Sequence, residues 1–297
     1  MKPRAASRAA TVGILILVLA ALFSTAALGE EKSRWEKFRG NFSDEKEVPP
    51  EDELFAEAEA YFYGRETWFG RLVKKTRGED SKAYQEWRGI KRKNMSRAQE
   101  LYQMFADNYR FSARAPIAEL RSADCAFHLD NYEEASILYR QFRLLHPRRP
   151  EAPYALFMEA NCHYERMLKP GRDQTETQKA AALYQELLKS HPGSPHEEEA
   201  RTKLDECRTR LAEHEFIVAD FYFKRKEYWA AAARYRGVQK NYSDLGFGDK
   251  AMFQEAACYE ALGKTEMARA LYDKTAASFP ESDHGKKARE KVDQLRQ

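Results

Sequence analysis

Small and aromatic residues recur along this chain at helical spacing, and one five-fold pattern dominates the sequence after residue 97. Five tyrosines each follow an alanine by four residues, and an aromatic or a histidine stands seven residues after each of them. The pairs are Ala98–Tyr102, Ala135–Tyr139, Ala180–Tyr184, Ala231–Tyr235 and Ala268–Tyr272. Residues four apart share a helical face, so the alanine lets a neighbouring helix approach while the tyrosine ring fills the space beside it. The pattern predicts five equivalent packed helices.

Each of these helices has a predicted partner upstream, which makes the repeating unit a helix–turn–helix. A small residue lies twelve positions before the repeat alanine at Ala123, Ala219 and Ala256, and Gly263 supplies a turn. Tyrosine intervals of 37, 45, 51 and 37 residues resemble the tetratricopeptide repeat (TPR), whose period is about 34 residues. We therefore predict an all-α fold: a TPR-like solenoid of about five units over residues 52–297, starting with an imperfect helix near residues 52–64.

The first 51 residues differ from the repeats. Residues 1–29 combine a basic start, an apolar run from Val12 to Phe23 and small residues, which is typical of a secretory signal cleaved before Glu30. An uncleaved anchor is the alternative, although the run is shorter than the roughly 20 residues that span a bilayer. We interpret residues 30–51 as an exposed linker. The first cysteine is Cys125, so no lipid anchor is expected at this end.

Residues 66–94 interrupt the first predicted repeat with nine lysines and arginines, four acidic residues and four large rings. These rings are Trp68, Phe69, Tyr84 and Trp87. The interpretation we favour is an amphipathic cap on the open end of the solenoid, because a repeat stack needs one. The alternative is a surface for anionic lipid head groups or for an acidic partner.

Composition limits the classes of function. A charged fraction of 33% and a mean hydropathy of −0.77 exclude a multi-span membrane protein. The net charge of +3 comes from Lys2, Arg4 and Arg8, so the chain from Glu30 onward is neutral. A basic field for nucleic acid is therefore absent.

The sequence offers no constellation for catalysis, so we predict a protein that is not an enzyme and needs no cofactor or metal. His214-Glu215 begins like a zinc-protease motif, but Val218 stands where a second histidine is required. Cys125, Cys162, Cys207 and Cys258 fall on predicted helices. Packed helix axes lie about 8–10 Å apart, whereas a disulfide needs Cα atoms within about 7 Å. Buried free thiols are therefore favoured over two disulfides.

The stretch from Arg210 to Arg234, together with Tyr154–Phe157 and Asn241–Asp244, resembles the BamD family of outer-membrane protein assembly factors. The resemblance runs from about Glu53 to Pro280. It implies five TPRs at the periplasmic face of the outer membrane. It also implies C-terminal repeats that dock on the POTRA domains of the barrel insertase BamA, N-terminal repeats that receive unfolded outer-membrane proteins, and other assembly-machinery subunits as partners. Family members are usually lipoproteins, so the absent cysteine implies attachment through partners or through an uncleaved signal.

Candidate interaction residues follow from this resemblance. Arg234 stands where the other four repeats have leucine, and the resemblance implies that Arg234 and the adjacent Tyr235 face BamA. The alternative is an arginine whose stem covers the seam while its head reaches solvent. The candidates for a client groove are Phe127, Tyr132 and Tyr154, although the same rings could pack between helices.

A different class of function is a periplasmic TPR adaptor for envelope division or peptidoglycan synthesis. Such adaptors often carry a trimerising coiled coil, and residues 30–50 contain no heptads.

Overall fold

Helices follow one another through short turns in the computed structural model, which describes residues 48–63 and 82–296. This part of the chain contains eleven α-helices, one 3-10 helix at Ser243–Leu245 and no strand. The α-helices are α1 Glu51–Phe62, α2 Lys82–Asn108, α3 Ala115–His128, α4 Tyr132–Leu145, α5 Ala152–Glu165, α6 Thr175–Ser190, α7 Glu197–Lys224, α8 Tyr228–Tyr242, α9 Gly248–Ala261, α10 Thr265–Ser278 and α11 Asp283–Leu295. The predicted signal, residues 30–47 of the linker and residues 66–81 of the insertion lie outside the described residues, as do the side chains of Tyr84 and Trp87.

Each helix packs against the next one in the chain, and α11 also contacts α9. The helices therefore pair as α1/α2, α3/α4, α5/α6, α7/α8 and α9/α10, with α11 covering the last pair. This arrangement confirms the predicted all-α, TPR-like solenoid. Turns inside three pairs use a residue with positive φ at the same place, at Asp130, Lys226 and Gly263. Such a residue reverses the chain tightly after a helix.

The predicted insertion ends inside a helix. Because α2 begins at Lys82, residues 82–94 form its first turns. Arg92 in this extension donates to the Asp130 carboxylate at 2.8 Å and to the Leu129 carbonyl at 2.9 Å. The extension is thereby tied to the turn between α3 and α4, in the second repeat.

The repeat alanines and tyrosines form the seams of the solenoid. All ten lie in the core, with at most 1% of their surface exposed. Two core clusters share α7: Ala200 and Cys207 pack with α5 and α6, whereas Ala212, Phe216 and Ala219 pack with α8 and α9. One continuous helix of 28 residues thus belongs to two adjoining parts of the core.

A hydrogen bond accompanies four of the five seams. The buried tyrosine donates its hydroxyl to a polar side chain on the partner helix, in the pairs Tyr139–Asp124, Tyr184–Asn161, Tyr235–Asp220 and Tyr272–Glu260. We call this arrangement the tyrosine clasp. In the first repeat the Tyr102 hydroxyl is buried without a hydrogen-bond partner among the described residues. The clasp favours one register of the two helices, because a one-turn slip would break this hydrogen bond and leave the buried tyrosine hydroxyl unpaired.

The clasp of the second repeat is the most elaborate. Asp124 is 2% exposed and accepts hydrogen bonds from Tyr139 at 2.7 Å and Tyr154 at 2.9 Å. Its second oxygen accepts from Arg121 at 3.0 Å. Burial and the neighbouring Asp124 charge raise the pKa of Tyr139 and Tyr154, so both hydroxyls remain donors at any physiological pH. Asp124 therefore joins α3, α4 and α5 at one point.

We expect Tyr139→Phe to destabilise the fold by about 2 kcal/mol, because it removes a buried hydrogen bond to a charged acceptor. The matched control is Tyr102→Phe, which removes a buried hydroxyl that has no partner among the described residues and should cost close to nothing. Urea unfolding followed by circular dichroism measures both midpoints. Equal losses for the two variants would contradict the stabilising role of the clasp.

Candidate functional site

The outer face of α8 has an unusual charge. This helix contains Arg234, Arg236 and Lys240 and no acidic residue. The carboxylates that balance it lie on the neighbouring helices, at Glu215 of α7 and Glu255 of α9. Small residues lie one helical turn from these basic side chains: Ala230 and Gly237 from Arg234, and Ala233 from Arg236. The three cations are therefore exposed among short side chains, and a partner backbone can approach this surface closely.

Arg234 occupies the position of leucine in the other repeats, and a carboxylate within its reach balances its charge. Its side chain is 46% exposed, and Nη1 donates to the Glu215 oxygens at 3.0 and 3.3 Å. Both of these hydrogen bonds use Nη1, so Nε and Nη2 keep their capacity to donate to a carboxylate of a partner. Arg234 is therefore paired within the chain and about half exposed, which is compatible with a contact to BamA and with a head that only reaches solvent.

Two further exposed residues of α8, on the side of the helix that faces α9, could not be picked out from the sequence pattern that singled out Arg234. Arg236 pairs with the nearly buried Glu255 at 2.7 Å and also donates to the Tyr259 hydroxyl. Trp229 is 56% exposed and packs edge-on against the Tyr259 ring, with centroids 5.6 Å apart. The signal that could have found this surface is the absence of acidic residues between Tyr228 and Tyr242.

Tyr235 does not share the surface with Arg234. It is 1% exposed, and it donates to Asp220 as one of the tyrosine clasps. Burial raises its pKa, with the Asp220 hydrogen bond as a further cause. Tyr235 therefore supports α8 from beneath, and the exposed member of the predicted docking pair is Arg234.

The three candidate groove residues all pack against the core of the second repeat, but they do not line one opening. Phe127 and Tyr132 form an edge-to-face pair with centroids 5.2 Å apart. Tyr154 instead donates to Asp124 and lies 5.6 Å from the His196 ring. A shallow pocket of about 670 Å³ is lined by Tyr132 together with Asp130, Asn131, Glu133, Glu134, Ile137, Leu138 and Arg166. Phe127 and Tyr132 are therefore in contact with each other, whereas Tyr154 contacts different residues.

The four cysteines are buried and unpaired, as the sequence predicts. Burial raises the pKa of Cys162, Cys207 and Cys258 to about 12, and it raises the pKa of Cys125 as well. These thiols are therefore protonated at neutral pH and are poor nucleophiles. The neighbouring His163 is engaged elsewhere, since its Nδ1 lies 2.8 Å from Glu176.

His214 lies 2.7 Å from the Pro170 carbonyl through Nδ1, which ties α7 to the loop before α6. Within residues 48–63 and 82–296, no three His, Cys, Asp or Glu side chains converge as a metal site would require. Over the same ranges, no helix combines the length and the hydropathy needed to cross a membrane.

Comparison with known proteins identifies related chains. The model of a family described as "Outer membrane lipoprotein" (YfiO) matches residues 77–275. The chain is 28% identical over 140 residues to the outer membrane protein assembly factor BamD of Caulobacter vibrioides, which covers 47% of this chain and 46% of that protein. It is 25% identical over 199 residues to BamD of Neisseria meningitidis serogroup A, which covers 64% of this chain and 74% of that one. The chain thus matches about half the length of the Caulobacter relative.

Among solved structures, BtubC (BKLC) from P. vanneervenii is 12% identical, covering 79% of this chain and 94% of that one. The TM-score is 0.27, which is too low to indicate a shared overall fold.

The burial of the cysteines predicts that the native protein resists thiol reagents. We expect Ellman's reagent to label none of the four thiols at pH 8 within minutes, because each is buried and protonated. All four should react after denaturation in guanidinium chloride. Rapid labelling of any native cysteine would contradict the packing of its helix.

Proposed function

Because this chain belongs to the BamD family of outer-membrane protein assembly factors, we propose that it is a non-enzymatic scaffold of the machinery that assembles β-barrel proteins in the outer membrane. Its C-terminal repeats dock on the POTRA domains of a BamA-like insertase, and its earlier repeats receive unfolded clients. Membership of the family supports this proposal. The structural observation that supports it is the set of exposed basic side chains on α8.

Docking on α8 depends on its positive side chains and on their exposure to a partner. A partner carboxylate that approaches Arg234 meets Nε and Nη2, which point in fixed directions and suit a bidentate bond that lysine could not copy. Arg236 and Lys240 add positive charge along the same helix. Trp229 offers a large, partly exposed ring at one end, the kind of residue that often anchors an interface. We therefore assign Arg234 the central contact on the α7 side of the helix, with Trp229 and Arg236 as further contacts on its α9 side.

Client binding is assigned to the second repeat. The pair formed by Phe127 and Tyr132 lies beside the shallow pocket that contains Ile137 and Leu138. Aromatic and aliphatic side chains next to polar ones suit an extended segment with alternating side chains. Tyr154 contributes through Asp124, by holding α3 and α5 in place around this region.

The protein acts in the periplasm, at the inner face of the outer membrane. In this proposal residues 1–29 direct export, and residues 30–51 link them to the solenoid. Attachment to the membrane comes through partners. An adaptor of envelope division is disfavoured, since the relatives matched are named as outer-membrane assembly factors.

We expect Arg234→Glu to abolish recovery of the BamA-like insertase when the tagged protein is purified from solubilised envelopes. Charge reversal places a carboxylate against the partner carboxylate. The matched control is Arg269→Glu, which reverses an exposed arginine of α10 that pairs with Glu266, and this variant should retain the insertase. Mass spectrometry of the purified complexes measures the outcome. Recovery of division or cell-wall proteins in place of the insertase would overturn the proposed function.

A second variant separates docking from a purely structural role of Arg234. Glu215→Gln removes the charge of its internal partner and leaves the guanidinium available. We expect this variant to retain or increase the recovery of the insertase. If Glu215→Gln lost the insertase as completely as Arg234→Glu does, Arg234 would act through the internal pair and not through the partner.

A further inference from the structure

The helix α4 exposes apolar side chains where the other repeats do not. Ile137, Leu144 and Leu145 are 56%, 71% and 67% exposed. Counted from the repeat tyrosines, the equivalent residues are Glu100, Asp107 and Asn108 in α2, Ala182, Lys189 and Ser190 in α6, Ala233, Lys240 and Asn241 in α8, and Ala270, Ala277 and Ser278 in α10. The framework of the repeat therefore does not require large apolar residues at these positions. Their presence in α4 indicates a local role.

The neighbouring turn carries a related feature. Phe111, in the turn between α2 and α3, is fully exposed. Its equivalents in the later repeats are Arg148, Gly193, Asp244 and Glu281. Because successive helices run in opposite directions, the turn after α2 and the C-terminal end of α4 lie at the same edge of the solenoid. Apolar side chains thus protrude from two adjacent turns of one edge.

The charge of this edge is positive. From Ser136 to Pro150 the chain contains four arginines and no acidic residue. Arg143 pairs with carboxylates of α5 and α6, and Arg149 pairs with Glu151, which directly follows this run. Arg140 and Arg148 are exposed. Leu144 and Leu145 lie between these two arginines in sequence. Protruding apolar residues flanked by arginines match the chemistry of a membrane interface, where apolar groups enter the acyl boundary and cations meet anionic head groups.

We propose that this edge, formed by Phe111, Arg140, Leu144, Leu145 and Arg148, inserts shallowly into the surface of an anionic phospholipid bilayer. The side chains protrude, whereas the shallow pocket, which includes Ile137, lies toward the opposite, N-terminal end of α4. A protein partner would have to supply a matching cavity, whereas a lipid interface accepts protruding side chains of any shape. This favours a lipid surface over an acidic protein.

The inference goes beyond the proposed function and does not depend on it. The edge belongs to the first two repeats, whereas docking on the insertase is assigned to α8 of the fourth. Loss of lipid contact would leave recovery of the insertase through Arg234 intact, and loss of docking would leave lipid contact intact. The two therefore fail separately.

The test uses a fluorophore on the edge of the full chain, because the apolar run in residues 12–23 could itself bind vesicles. Leu144→Cys provides a labelling site for an environment-sensitive NBD dye, since the four native cysteines are buried. The matched control is Met267→Cys at the start of α10, which replaces another exposed apolar residue. Both labelled proteins are mixed with vesicles of phosphatidylcholine alone and with vesicles that also contain phosphatidylglycerol.

We expect a blue shift and a several-fold rise in emission for the label at position 144 with anionic vesicles only, and quenching by doxyl-labelled lipids. The label at position 267 should not respond. Combining Leu144→Cys with Arg140→Glu and Arg148→Glu should abolish the response, and added salt should weaken it.

Three outcomes would overturn the proposal. One is an unchanged emission at position 144 with anionic vesicles. Another is an equal response at position 267, which would indicate contact through the remainder of the chain. The third is a response at position 144 to an acidic protein of the assembly machinery but not to vesicles, which would assign the edge to a protein partner.

Discussion

The close approach of paired helices at each seam is the constraint on which this structure depends. A small residue lets two helices come together, and a tyrosine fills the adjoining space and donates its hydroxyl to the partner helix. Apolar packing alone would tolerate a slip along the helix axis, but a buried tyrosine hydroxyl reaches its acceptor on the partner helix in only one register. Asp124 extends this principle from two helices to three, since Tyr139 and Tyr154 share one of its oxygens.

Packing at the seams stabilises the fold, so the outward faces of the tyrosine helices can differ without destabilising it. The same repeat position is leucine in four units and arginine in α8, and it is tolerated there because Glu215 lies within reach. The outward face of α4 carries leucine where that of α8 carries lysine and asparagine. Repetition thus provides a common interior and a set of separately adjustable surfaces, which is how a repeat protein can bind several kinds of partner along one body.

Much of the fold could be predicted from the sequence, because helix packing itself requires the alanine–tyrosine spacing. The five-unit solenoid, the turn at Gly263 and the free thiols follow from that spacing and from geometry. The acceptors of the clasps were not predicted, because Asp124 and Asp220 look like ordinary helix-surface residues until their orientation is known. The alanine–tyrosine spacing places Tyr235 in a seam, and only the resemblance assigned it to docking together with Arg234. A step of one residue moves a side chain by about 100° around a helix and here divides surface from core.

The continuous helix α7 gives the solenoid a mechanical property. Its first half is embedded in one core cluster and its second half in the next, without an intervening turn that could act as a hinge. An unbroken helix is stiff against bending, because every turn is braced by its own backbone hydrogen bonds. A force applied to α8 is consequently transmitted along α7 to α6 as a rigid-body displacement. The third and fourth repeats should therefore move as one lever, and relative motion is left to the turns at either side of them.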